Sequence, residues 1–102
     1  MIIFNTTFHL DDDIHTAGLD YLKKVYIPEA ANSGFLFEPR LLLIHRQHEE
    51  GGTSYSLQFR VKNADTVNHW LANDGQILQK ELATRFGNKM MGFVTLLEEI
   101  EL

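Results

Sequence analysis

In two segments of this chain, residues 2–10 and 54–62, mostly apolar and mostly polar side chains occupy alternate positions. This pattern constrains the fold more than any other feature. A period of two is typical of a strand that has one face on a core and the other face in a different environment. The side chains that we expect on the covered faces of the two strands are Phe4, Phe8, Leu57 and Phe59.

A helix is predicted after the first strand, because apolar residues recur at spacings of three and four over residues 14–25. The carboxylates of residues 11–13 can cap its beginning. Pro28 should end or kink this helix, because its ring disfavours a helical Ile27. A short turn can restart at the proline, and Gly34 is a candidate for its C-cap.

The apolar segment 35–46 predicts a second strand, and Pro39 within it indicates an edge strand or a strand that begins after the proline. Residues 47–53 have the composition of a hairpin loop, since they include Gly51 and Gly52. The strand over residues 54–62 follows this loop.

A second helix follows, with Asn63 or Asp65 as its cap and residues 73–75 as a point where it can break. Gly87 should end it, and residues 90–97, which are apolar on both faces, predict a last strand. The predicted apolar stripe of the helix, with Trp70 on its flank, consists of Val67, Leu71, Ile77, Leu78, Leu82 and Phe86.

The element order is therefore β-α-β-β-α-β, the split βαβ arrangement of the α+β ferredoxin-like fold. A chain of 102 residues corresponds to one domain, so we assign residues 1–102 to a single ferredoxin-like domain. Right-handed crossovers place both helices on one face of a four-stranded antiparallel sheet.

The other face of the sheet should be mixed in character. The alternating strands contribute Ile3, Asn5, Thr7, His9, Ser56, Gln58 and Arg60, whereas the second and fourth strands add apolar residues. A face in water would be polar throughout, and burying unpaired polar groups costs about 2 kcal/mol or more each. We therefore expect a C2 homodimer that covers this face and leaves a polar patch in its middle.

Composition excludes several classes of protein. The chain has no cysteine, which rules out disulfides, thiolate nucleophiles and cysteine-rich metal sites. A net charge of -5 argues against nucleic-acid binding. The same element order occurs in RNA-recognition modules, but the open side of the third strand lacks their stacking aromatics. No apolar run could span a membrane and no signal peptide is apparent, so we expect a cytoplasmic protein.

Three stretches resemble a known family: Tyr26-Ile27-Pro28-Glu29, Thr53–Phe59, and Arg85–Lys89 running into Phe93–Glu98. Nearly end to end, the chain resembles the short bacterial proteins of domain of unknown function 4286, common in Bacteroidetes. That family often has a histidine at the position of Tyr26, so a role for such a histidine does not transfer. The family is similar to the dimeric α+β barrel superfamily, in which two ferredoxin-like sheets pack face to face. The resemblance implies that homodimer but no activity.

Likeness to the barrel superfamily also suggests a monooxygenase, because haem-degrading and quinone-forming members use an Asn on the first strand and a Trp on the second helix. Asn5 and Trp70 hold roughly such places, yet no histidine follows His69, which argues against haem ligation. A tryptophan on a helix flank more often fills a core or an interface. Tyr26, beside Pro28, could line the mouth of a pocket, although an aromatic residue there usually serves as a helix staple.

Metal and phosphate motifs are absent from the sequence. The histidines at positions 9, 15, 45, 48 and 69 form no HxxxH or HExxH motif, and His45 and His48 should point to opposite faces if the strand continues. Residues 11–13 lack calcium-loop spacing, and Gly51-Gly52 lacks the Walker pattern. We therefore expect no metal and no cofactor.

The candidate ligand-pocket residues are Asn5, Thr7, His9, Arg60 and Trp70. One hypothesis is a non-catalytic homodimeric module that binds a small ligand or a protein partner at the subunit interface. The alternative is a cofactor-free monooxygenase or isomerase, with His9 as base and Asn5 and Arg60 stabilising an enolate-like oxygen. We favour the first, since the sequence shows no orienting partner for a base.

Overall fold

The computed structural model describes residues 1–45 and 51–102, which form a four-stranded antiparallel sheet with helices on one face. Its strands lie in the order β2-β3-β1-β4, which confirms the ferredoxin-like prediction. The strands are β1 (Ile2–Leu10), β2 (Phe37–Leu43), β3 (Thr53–Val61) and β4 (Met90–Glu98). Residues 46–50 lie outside the described part of the chain. They include the predicted strand end at residue 46, most of the predicted loop 47–53, and His48, whose orientation was predicted.

Two helical segments, both on the same face of the sheet, connect the strands. The first consists of a 3-10 turn (Asp12–Ile14), α1 (His15–Tyr21), a π-helical turn (Leu22–Tyr26) and α2 (Ile27–Ala31). The second consists of α3 (Ala64–Ala72), α4 (Asp74–Phe86) and a 3-10 turn (Gly87–Lys89). No helix in residues 1–45 and 51–102 is long and apolar enough to cross a membrane.

The expectation that Pro28 disfavours a helical Ile27 is wrong. Ile27 has helical angles, φ -63° and ψ -47°, and the helical path continues through Pro28 to Ala31. The π-helical turn directly before the proline gives the physical reason. Its wider i→i+5 spacing provides a place for a residue that lacks an N–H and crowds the preceding turn.

Pro39 lies in an edge strand, as predicted, because β2 pairs only with β3 in the described sheet. The pairing register shifts between Phe37 and Arg40, and Glu38 has a positive φ of 53°. This bulge accommodates the proline, which cannot donate to the ladder.

The second helical segment begins at Asn63, whose Oδ1 accepts a hydrogen bond from the Thr66 backbone N–H at 2.9 Å. It is interrupted at Asn73, within the predicted break. The break changes the phase of the apolar stripe, so Ile77 is 59% exposed and its predicted place in the core is wrong.

The core lies between the helices and the sheet. The four predicted core residues of the alternating strands, Phe4, Phe8, Leu57 and Phe59, are all buried. The predicted position of Trp70 on the flank of the stripe is wrong, because Trp70 lies in the middle of this core. It is 2% exposed, and its ring packs edge-on against Phe4 at 5.6 Å. Because Trp70 follows Val67 by three positions, both side chains lie on the buried face of α3.

Candidate functional site

A polar stripe runs along the uncovered face of the two central strands, β1 and β3. Residues opposite each other in antiparallel strands share a face, and the register pairs Asn5 with Gln58, Thr7 with Ser56 and His9 with Ser54. The polar stripe therefore consists of Asn5, Thr7, His9, Ser54, Ser56 and Gln58.

Hydrogen bonds within the polar stripe satisfy many of its side-chain donors and acceptors. The Ser56 hydroxyl donates to Asn5 Oδ1, and Asn5 Nδ2 donates to Thr7 Oγ1 at 3.2 Å. Gln58 Nε2 donates to Ser56 Oγ at 3.3 Å. Asn5 is only 8% exposed, so these bonds offset the cost of burying its amide.

His9 is held at the end of the polar stripe. Its Nδ1 lies 3.0 Å from Ser54 Oγ. Its Nε2 edge lies against Gly52, where an added Cβ would come within 2.5 Å of the ring nitrogen. Serine thus orients the imidazole, and no carboxylate among the described residues forms an ion pair with it.

Arg60 lies far from His9, although both belong to the candidate pocket predicted from the sequence. It pairs with Ile3, six residues along β1 from His9, a distance of roughly 20 Å at the rise of a strand. Its guanidinium is taken up by two carboxylates, Glu38 at 2.8 Å and Glu99 at 3.5 Å. A substrate of a few atoms could not touch both His9 and Arg60 of one chain.

Trp70 lies on the opposite side of the sheet from the other four candidates. Its side chain is part of the helix-covered core, whereas Asn5, Thr7 and His9 lie on the uncovered face. The sequence assigned Trp70 to a helix and both helices to one face of the sheet, but it did not show that the Trp70 side chain points into the core. The predicted five-residue pocket is therefore not assembled within one chain.

Apolar side chains flank the polar stripe on both edge strands. The exposed apolar flank on β2 includes Phe37 and Leu42, which pair with Arg60 and Ser56. The exposed apolar flank on β4 consists of Met91, Phe93 and Leu97, which pair with His9, Thr7 and Ile3. The uncovered face thus has the mixed character expected from the sequence.

A cavity lies on the other side of the sheet, between it and the helices. The space in it that a water-sized molecule can occupy has a volume of about 30 Å³. Since a single water needs ~10–15 Å³, the cavity has room for about two water molecules. The residues that line this helix-side cavity are Phe4, Thr6, Phe8, Tyr26, Trp70, Leu71, Gly75, Gln79, Leu82, Gly92 and Val94, and all are uncharged.

Three buried residues of the lining carry polar groups. Trp70 Nε1 is buried and has no hydrogen-bond partner among the described residues. Thr6, on β1, is buried and lines the same cavity. Burial raises the pKa of Tyr26 to about 12, so its hydroxyl remains protonated near neutral pH.

The sequence interpretation proposed Tyr26 for a pocket mouth, and the structure has this residue in the lining of the cavity. It missed Thr6 and Gln79. The signal for Thr6 was available, because a hydroxyl stands between Phe4 and Phe8 on the side of the strand that faces the core. Nothing in the sequence distinguished Gln79 from other exposed polar residues of α4.

Comparison with known proteins relates the chain to one family and several structures. A family model described as "Domain of unknown function (DUF4286)" matches residues 1–100. No curated protein matches the chain.

The solved structures that resemble the chain have low sequence identity and therefore inform on the fold alone. An EthD (ethyl tert-butyl ether d) family protein from Bacillus halodurans has a TM-score of 0.72 at 12% identity, over 98% of this chain and 100% of its own. A Deinococcus radiodurans protein, provisionally named an antibiotic biosynthesis monooxygenase, has a TM-score of 0.64 at 17% identity, over 100% and 95%. A dimeric ferredoxin-like protein from an uncultured marine organism has a TM-score of 0.65 at 11% identity, over 99% and 97%.

Proposed function

This chain belongs to the DUF4286 family, whose name carries no activity, and we propose from its geometry that it is a homodimeric, non-catalytic binding module. Two copies meet through the uncovered faces of their sheets and form a dimeric α+β barrel. The module binds a small ligand or a protein partner. The observation that carries this proposal is the mixed face, on which two exposed apolar flanks border a polar stripe.

The exposed apolar side chains of the uncovered face support a dimer. They lie on both edge strands and are each 38–57% exposed: Phe37, Leu42, Met91, Phe93 and Leu97. Two groups of exposed apolar side chains on one face are unusual for a monomeric protein.

The hydrogen bonds of the polar stripe favour a structural role for it. Asn5, Thr7 and Ser56 are occupied with one another, so a second copy can cover them without leaving their amide and hydroxyl groups unpaired. The apolar flanks then supply the free energy of association, because their burial removes apolar surface from water.

The enzymatic alternative has less support. It requires His9, Asn5 and Arg60 to act on one substrate, but Arg60 is held by Glu38 and Glu99 and lies roughly 20 Å from His9 along the strand. We retain a cofactor-free monooxygenase or isomerase only as an outcome to be tested, by screening for turnover that His9→Ala abolishes.

The experiment that tests the dimer is the measurement of molar mass by light scattering after size exclusion. We expect the native protein at twice 11.8 kDa. Leu42→Asp on β2 and Phe93→Asp on β4 should each shift the mass toward a single chain, because a carboxylate in the interface would be buried without a partner.

Ile77→Asp is the matched control. Ile77 is 59% exposed and Phe93 is 57% exposed, so both changes place a charge at an equally accessible apolar site. Ile77 lies on α4, on the helical side, and its variant should keep the native mass. A native protein with the mass of one chain, or a loss of the dimer with Ile77→Asp alone, would contradict the proposal.

The proposed location of the module is the bacterial cytoplasm. A 102-residue chain without cysteine lacks the disulfides that stabilise many small secreted domains. The proposal includes no nucleic-acid partner, since the net charge is -5.

A further inference from the structure

We propose that the outer edge of β4 is a docking site for an extended segment of a partner protein, which adds to the sheet as a fifth strand. The segment carries apolar side chains at alternate positions and basic residues at its beginning. This inference deepens the partner-binding part of the proposed function and rests on it. It uses a different surface of the chain from the proposed dimer.

The hydrogen-bonding edge of β4 is the first observation behind this site. In the described sheet β4 pairs only with β1, and the register runs without a shift from Glu98 back to Met90. In a ladder with one neighbour, alternate residues direct their backbone N–H and C=O groups away from that neighbour. A strand of nine residues therefore presents a regular row of backbone groups with which an extended peptide can pair.

The two edges of the sheet differ in their protection. β2 contains Pro39, a register shift between Phe37 and Arg40, and a positive φ at Glu38. A proline, a bulge and charged side chains are features by which edge strands avoid pairing with another chain. β4 has no proline, no register shift and a single charged residue, Glu98 at its end. β4 is therefore the edge that remains open to an added strand.

Apolar side chains lie on both faces of β4. Val94 and Leu96 face the helical side, because they pair with buried residues of β1. They are nevertheless 48% and 39% exposed. The proposed dimer covers the opposite face of the sheet and leaves these two side chains in water. An added strand would place its own side chains beside them, and cross-strand apolar pairs stabilise a sheet.

The acidic end of β4 determines the charge of the segment. Glu98 ends the strand and forms no ion pair in the part of the chain that the structure describes. Glu99 follows it and contacts Arg60, which Glu38 holds more closely. An antiparallel segment, which is the more stable pairing, places an opposite charge beside both carboxylates if it begins with two lysines. The net charge of -5 also favours a basic partner.

The test uses a synthetic peptide with this pattern, acetyl-Lys-Lys-Thr-Val-Thr-Val-Thr-Leu-Thr-Val-amide. One form is methylated at the backbone nitrogens of the apolar residues and a second at those of the threonines. These nitrogens lie on opposite edges of an extended peptide, so only one form keeps the N–H groups that face β4. We expect saturable binding of that form and at least about tenfold weaker binding of the other, measured by fluorescence anisotropy of labelled peptide.

Val94→Asp connects the binding to β4. It replaces an apolar cross-strand contact by a carboxylate, so it should weaken binding of the competent peptide about fivefold or more, while light scattering still gives the mass of the dimer. Ile77→Asp is the matched control, because Ile77 is also an exposed apolar residue on the helical side but belongs to α4. This variant should bind the peptide as the native protein does.

Several outcomes would overturn the inference. These are the absence of saturable binding, equal binding of the two methylated forms, or equal effects of the two aspartate variants. Binding by a monomeric Leu42→Asp protein but not by the native protein would also overturn it, because a second copy would then occupy the edge. A native mass above two chains that Val94→Asp reduces would have the same meaning. The mass of the native protein tests the dimer separately, so the two proposals fail by different measurements.

Discussion

At the scale of single residues, Asn63 determines where the second helical segment begins. Its side-chain oxygen accepts hydrogen bonds from the Thr66 N–H at 2.9 Å and the Thr66 hydroxyl at 2.8 Å. We expect Asn63→Ala to lower the free energy of unfolding by about 1 kcal/mol, because the first turn of α3 loses its cap. Urea denaturation measures this change. Asp65→Ala is the control and should stay within about 0.5 kcal/mol of the native protein.

Tyr26 gives the stability of the protein a dependence on alkaline pH. Its pKa is raised by burial to about 12 in the folded state, against about 10 in an unfolded chain. The folded state favours the neutral phenol, so this contribution is complete below pH 10 and is lost as the pH rises from 10 to 12. The loss amounts to at most about 1.4 kcal/mol per pH unit.

The measurement compares urea denaturation of the native protein and of Tyr26→Phe at several pH values in this window. We expect a shallower decline for the variant, which lacks the titrating hydroxyl. Other groups that titrate are common to both proteins. Identical declines would show that Tyr26 does not titrate differently in the folded and unfolded states.

The sequence predicted the faces of the sheet on which the site residues lie, but not which of these residues lie close together. The period of two in β1 was enough to separate Asn5 and His9 from the core. The position of Arg60 required the pairing register between strands, which one strand does not contain. The position of Trp70 required the rotation of α3 on the sheet, and that rotation depends on packing with Phe4.

At the scale of secondary-structure elements, Gly52 controls the turn into β3. Its φ is 91°, and an added Cβ would come within 2.7 Å of the Leu10 carbonyl oxygen as well as against His9. We expect Gly52→Ala to lower the free energy of unfolding by about 1–2 kcal/mol, because an L-residue is strained at this φ. Thermal or urea denaturation measures the effect.

Gly51→Ala provides the neighbouring control for this turn. Among the described residues, a Cβ at Gly51 would meet only Asp12, at 4.0 Å, and the φ of Gly51 is not in the positive region. The Gly51 variant should therefore be nearly as stable as the native protein. Equal destabilisation by both changes would contradict the role assigned to the backbone of Gly52.

The strands were easier to predict than the first helical segment. Alternation identified β1 and β3 directly, and Pro39 identified β2 as an edge. The predicted restart of a short helix at Pro28 is confirmed, since Pro28 lies in the first turn of α2. The expected loss of helical geometry before the proline did not occur, because a local change from α to π geometry absorbs the missing N–H. A sequence pattern carries no sign of such a change, since the tertiary packing of Tyr26 and Ala30 holds the segment helical.

At the scale of the whole molecule, one broad face carries helices and the other is bare. If two copies cover that face in solution, the midpoint of thermal unfolding should rise with protein concentration, because mass action favours the dimer. We expect a rise of a few degrees over a hundredfold range, measured by circular dichroism. Leu42→Asp should show a lower midpoint that does not depend on concentration, whereas Ile77→Asp should behave like the native protein. A native midpoint that is independent of concentration would contradict the proposed assembly.

Gly92 of β4 faces Phe8, and a methyl group there would stand 3.1 Å from the aromatic ring. Gly92 also lines the helix-side cavity, so the absence of a side chain at this position leaves part of the free space between the sheet and the helices. An alanine there would reduce this space, with the Phe8 ring displaced by a few tenths of an ångström.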